Sequence, residues 1–224
     1  RGVAFTKLSN AISIAVRQGG SIGDPDQNFR LRLAVDAARN ANMPKENIER
    51  AIQRALGKGG EDNVEEIMYE GFGPQGICIL VESVTNNKNR TIGEVKSTFD
   101  KNGGTMGQKG SVSYQFKQVG QIIVDKDEKS LDDIFFEAAD SGAQDVEEAG
   151  EEAVIYTAPN DLARVRDTFN DLGYTVKEMS IMWQPLTTVS IAENDPAAQK
   201  IMNLLEKLEN LDDVQAVYSN FEIA

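Results

Sequence analysis

The hydrophobic period of this chain changes near residue 60, and a chain with such a break must build two kinds of core. Before the break, apolar residues recur at helical spacing: Phe5, Leu8, Ile12 and Ala15, then Leu31, Ala34, Val35 and Ala38, then Ile48, Ala51, Ile52 and Ala55. Gly19-Gly20 stops the first run, Pro44 suits the first helical position of the third, and Gly57 ends it. Gly59-Gly60 reads as a linker. Beyond it the pattern turns to strands at 64–69 and 77–84, a helix at 91–101 with Ile92, Val95 and Phe99 inward, and a strand at 111–116 that alternates Val112, Tyr114 and Phe116.

Residues 121–185 repeat the order strand, helix, strand, strand, helix, strand, which is the split βαβ or ferredoxin-like arrangement. After Pro185 come a strand at 187–192, a helix opened by Asp195-Pro196, and a strand at 214–218. A strand–helix–strand of that size has no stable core alone, so it has to join an earlier element. The expected architecture is therefore α+β: a basic helical domain at 1–60, a discontinuous α/β domain at 61–117 plus 187–224, and an acidic ferredoxin-like domain inserted at 118–186. Both α/β domains are expected to be ferredoxin-like.

Charge is divided along the same boundary. Residues 1–60 hold ten Lys/Arg and five Asp/Glu, whereas the whole chain has a net charge of -13. A cationic module on an acidic body suggests a polyanion approached from one end, with an uneven solvated surface as the plainer reading. The chain has no histidine and one cysteine. That excludes serine–histidine and cysteine–histidine nucleophiles, internal disulfides and imidazole metal sites, so neither catalysis, nor a cofactor, nor a metal is expected. No apolar run reaches the roughly 20 residues of a membrane span, and no secretory leader is present, so a cytoplasmic protein without a membrane partner is expected.

Gly71, Gly73 and Gly76 match G-x-G-x-x-G, but Pro74 and a following strand replace the helix that a dinucleotide site requires, so the segment reads as a turn. Cys78, within an apolar run, reads as a small buried hydrophobe. The acidic run from Asp145 to Glu152 lacks a calcium-loop pattern and reads as a solvated hairpin. Glu70 and Glu82 are conceivable as an acid/base pair, although nothing in the sequence sets their separation. The candidate binding residues are cationic or amide. Arg50, Arg54 and Lys58 share one helix face; Lys7, Arg30, Arg32 and Lys45 add to the same segment. Asn87, Lys88, Asn89, Arg90 and Thr91 run from a strand end into a helix start, where phosphate contacts and ordinary capping are both open. Arg90 is the expected anchor, with pairing to Glu94 as its rival role.

Phe5-Thr6-Lys7-Leu8, Arg30-Leu31-Arg32-Leu33-Ala34, the run from Asn42 to Ile52, Tyr69-Glu70-Gly71-Phe72-Gly73-Pro74, Asn87-Lys88-Asn89-Arg90-Thr91, Asn102-Gly103-Gly104 and Gly110-Ser111-Val112 together resemble the YebC/PmpR family. The resemblance runs from about Arg1 to Ile223. It implies a helical N-terminal domain and two α/β domains, one inserted in the other. It also implies a cytoplasmic regulator of transcription that binds DNA. Other members of the family are described as translational activators or ribosome-associated factors acting on difficult peptide sequences, so ribosomal RNA stands beside DNA as a partner. The family's Gly-His-Ser-Lys-Trp start and its basic stretch are absent here, so an N-terminal contact arm is expected to be missing. The acidic inserted domain offers a surface for protein contacts.

Overall fold

The computed structural model describes residues 2–57, 64–127 and 129–224, with side chains from residue 5 onward. Helices α1 (Gly2–Gln18), α2 (Phe29–Asn40) and α3 (Lys45–Ala55) come first. They bury Ile12, Val16, Leu31, Val35, Ala38, Ile48, Ala51 and Ile52 against one another. Asn28 ties the first two together. Its side chain caps α2 by accepting from the Leu31 N–H, and its amide donates to the carbonyls of Ala15 and Ile22. A Cβ on Gly19 would stand 2.1 Å from that amide nitrogen, which explains a glycine at the end of α1. Pro44 sits at the N-cap of α3, just before the helix. Gly59-Gly60, read as a linker, lies outside the described residues.

The next elements are β1 (Glu65–Phe72), β2 (Cys78–Thr85), α4 (Lys88–Lys101) and β3 (Thr105–Met106). Then come β4 (Phe116–Asp125), α5 (Leu131–Ser141), β5 (Asp145–Ala149), β6 (Glu152–Thr157), α6 (Leu162–Asp171) and β7 (Val176–Pro185). The chain closes with β8 (Val189–Ile191), α7 (Pro196–Glu209), β9 (Val214–Ser219) and β10 (Phe221–Ile223).

Two compact units result: Arg1–Phe116 with Pro185–Ala224, and Lys117–Gln184. In the first, the sheet runs β3-β1-β2-β9, so a strand from the end of the chain pairs with β2. Its core joins Tyr69, Ile79 and Val81 of the sheet to Val95 and Phe99 of α4 and to Ile201, Leu204 and Leu208 of α7. The G-x-G-x-x-G segment is the β1–β2 connection. A Cβ on Gly71 would press on the Phe99 ring at 2.6 Å and the Thr105 carbonyl at 2.9 Å, and Gly76 takes φ +73°. Those glycines serve packing and a turn, not a phosphate.

Two local expectations change. Residues 111–116 do not form a strand: Ser113–Gln115 make a 3-10 turn, and Thr105–Met106 occupy the sheet edge instead. The cause is Glu70, whose carboxylate accepts from the N–H groups of Gly110, Val112 and Ser113 and so removes donors that a ladder would use. In α4, Thr91 rather than Ile92 faces inward with Val95 and Phe99, and Ile92 is 43% exposed.

In the second unit, the sheet runs β5-β6-β4-β7 with antiparallel ladders from β6 to both β4 and β5. Ile122, Val124, Ile134, Ile155, Leu162, Val165 and Phe169 are fully buried. Its element order is the βαββαβ of the split arrangement. The first unit has ββαβ and then βαββ, so the ferredoxin-like order describes the second unit only. On α5, Phe135 and Phe136 are exposed.

Candidate nucleic-acid interface

The amphipathicity of α3 decides where its charges stand. Ile48, Ala51 and Ile52 turn inward, which leaves Arg50, Gln53 and Arg54 on the solvent side. Lys45 is exposed on the first turn and pairs with Glu49 at 3.6 Å. Lys7, Arg30 and Arg32 donate to other groups of the protein. Lys7 donates to the Glu209 carbonyl, and burial pulls its ammonium below the ordinary value against the pull of Asp212 and Glu209. Arg30 donates to the Gln18 side-chain oxygen. Arg32 braces the α1–α2 loop through the carbonyls of Pro25 at 3.1 Å and Asp26 at 3.0 Å. Lys58 lies outside the described residues.

The 87–91 segment is the first turn of α4 rather than a loop. Asn87 is its N-cap and accepts from the Arg90 N–H at 3.1 Å; Lys88 pairs with Glu65. Asn86 to Arg90 are exposed, whereas Thr91 is buried. Sequence reasoning missed the residue that organises this end. Asp213, just before β9, accepts from the Thr91 hydroxyl at 2.7 Å, the Thr85 hydroxyl at 3.1 Å and the Arg90 guanidinium at 2.8 Å. Burial pushes the Asp213 carboxyl up, but the bonds from Thr91 and Arg90 outweigh it and hold it below the ordinary carboxylate value. The partner of Arg90 is thus Asp213, not Glu94. No local signal could have named an acid so far along the chain.

Glu70 and Glu82 have separate hydrogen-bond partners. Burial pushes Glu70 up, and the three backbone N–H groups of 110–113 more than offset it. Glu82 accepts from the Tyr218 hydroxyl at 3.2 Å, and burial holds its carboxyl above the ordinary value. Cys78 is buried, and burial pushes its thiol up, away from the reactive thiolate. Among the described residues no group of three or more Cys, Asp or Glu is arranged to hold a metal ion, and no helix is long and apolar enough to cross a membrane.

By its architecture the chain is a mixed α/β protein of helices and sheets with antiparallel ladders, apart from the parallel pair of β8 and β10. The family description "TACO1/YebC protein N-terminal domain" matches residues 1–58, and "TACO1/YebC second and third domain" matches residues 64–221. The chain belongs to the TACO1/YebC family. A probable transcriptional regulatory protein of Roseiflexus castenholzii is 49% identical over 227 residues, and one of Chloroflexus aggregans is 48% identical over 225; each alignment covers 100% of this chain and 88% of the relative. A crystal structure of a conserved hypothetical protein from Aquifex aeolicus superposes with a TM-score of 0.89 at 42% identity, covering 100% of this chain and 91% of that one. The expectation of a missing N-terminal contact arm is not borne out by these comparisons.

Proposed function

We propose that this chain is a non-enzymatic regulator of gene expression in the cytoplasm that holds nucleic acid through its helical segment, with DNA as the first candidate. The observation that carries this reading is the placement of Arg50 and Arg54 on the solvent face of α3, in the part of a -13 chain where cations outnumber acids. Relatives named probable transcriptional regulatory proteins support it. Exposed Lys88 and Asn89 at the start of α4 suit further backbone contacts, while Arg90 is largely committed to Asp213.

The test is fluorescence anisotropy with a labelled DNA duplex and a labelled hairpin RNA across a salt series. Replacing Arg50 and Arg54 by Ala should weaken binding and reduce the salt slope by about one for each lost phosphate contact. Unchanged affinity and slope in a folded variant would overturn the reading. Tighter binding of the RNA than of the duplex at equal salt would assign the ribosomal alternative.

A further inference from the structure

Six lysines of this protein, Lys45, Lys88, Lys96, Lys126, Lys129 and Lys177, each have a carboxylate within 3.6 Å. Lys101 at the end of α4, and Lys200 and Lys207 on α7, form no ion pair among the described residues, as is also the case for Lys7, Lys109 and Lys117. Lys101, Asn102, Gly103, Lys200 and Asn203 line an open cleft of about 370 Å³. Residues 200, 203 and 207 recur at helical spacing and are exposed on one face of α7.

The cleft is built rather than accidental. Asn102 is held at both ends: its amide donates to the Thr98 carbonyl at 2.7 Å, and its oxygen accepts from Lys207 at 2.7 Å. Gly103 adopts φ +78°, and the backbone turns sharply there without a side chain in the cleft. Asn203 uses its oxygen to accept from Gln199 at 2.9 Å, which leaves its amide nitrogen as a donor. Two lysines and two asparagines thus line the cleft, and no carboxylate is among its lining residues. Two positive charges along one cleft favour an anionic partner. The cleft is open to solvent, which suits a phosphodiester strand better than an enclosed nucleotide.

We propose that the end of α4 and the adjoining face of α7 form a second site for nucleic-acid backbone phosphates, with Lys101 and Lys200 as the contacting charges. This inference rests on the nucleic-acid-binding reading above and adds a contact outside the cationic helical segment. It assigns phosphate recognition to a part of the chain whose net charge is negative.

The test uses the full chain with Lys101→Ala and Lys200→Ala combined, since neither lysine holds another part of the protein. Binding of the same labelled duplex and hairpin is measured across a salt series, beside the Arg50→Ala, Arg54→Ala variant. A loss of about two units of salt slope, roughly 0.9 for each phosphate on duplex DNA, is expected from the lysine variant. If only the arginine variant changes the slope, the second site is overturned and the helical reading stands. If only the lysine variant does, the helical reading fails and the cleft remains as the contact. If neither does, both fail. Calorimetric titration with sodium pyrophosphate separates the sources. Pyrophosphate binding that the lysine variant loses, with nucleic-acid affinity and slope unchanged, would assign the cleft to small phosphates and overturn the proposal.

Discussion

Arg90 and Asp213 lie 123 residues apart in the chain and meet as an ion pair, Arg90 Nη2 reaching the two carboxylate oxygens at 2.8 and 3.1 Å. Arg90 opens α4, and Asp213 precedes β9. The Asp213 carbonyl also accepts from the Val84 N–H at 2.8 Å. The pair fastens the late strand to the start of α4, and the Val84 and Thr85 bonds fasten it to the end of β2. Its two partners are unequally placed: the Asp213 side chain is 10% exposed and that of Arg90 46%.

That asymmetry sets the first prediction. Asp213→Ala should cost about 3 kcal/mol, because it removes the carboxylate that the buried Thr85 and Thr91 hydroxyls and the guanidinium share. Arg90→Ala should cost only about 1 kcal/mol, since both hydroxyls still serve the carboxylate and water reaches the vacated side. Urea denaturation of the two variants checks the ranking, and equal losses would contradict it.

Glu70 predicts an acid dependence. Its folded pKa lies below the ordinary 4.5, so its contribution is complete above that value and is lost as the pH falls through the folded value. Glu70→Gln should be destabilised by about 2 kcal/mol at neutral pH. The gap from the parent protein should then narrow as the pH is lowered below 4.5. A gap that stays constant into acid would show that the charge of Glu70 is not what matters.

Gly71→Ala should destabilise by about 1–3 kcal/mol, because the added methyl meets the Phe99 ring at 2.6 Å and a carbonyl at 2.9 Å inside the first unit's core. Gly76→Ala meets nothing within 4 Å and should cost about 1 kcal/mol through its positive φ alone. Thermal unfolding of both variants distinguishes packing from backbone strain at the two ends of one turn.

The second unit should be removable. The Leu186 N–H donates to the Gln115 carbonyl at 2.8 Å, so the chain leaves and re-enters the first unit at adjacent points. Replacing residues 117–184 by a short Gly/Ser bridge should leave a cooperatively unfolding protein, whereas deleting 187–224 should not, because it strips β9 and α7 from the sheet and core. Circular dichroism with urea titration reads both.

Much of this architecture was legible in local pattern. The spacing of Ile12, Leu31, Val35, Ile48 and Ile52 places three helices, and the strand–helix order after residue 120 places the second unit, because burial selects apolar residues at the period of each element. The face of α3 that carries Arg50 and Arg54 follows from the same period. Local pattern could not reveal which groups satisfy one another across the chain. Tyr114 and Phe116 alternate like a strand, yet a carboxylate on β1 captures the preceding N–H groups and turns the backbone. Arg90 reads as an exposed cation, yet Asp213 holds it. Lys101 and Lys200 stand on different elements, and their cleft exists only because α4 packs beside α7. Periodicity is a property of neighbours in sequence, so the sequence by itself determined the elements and their buried faces. Hydrogen-bond and charge partners depend on distances between remote segments, which only the tertiary structure decided.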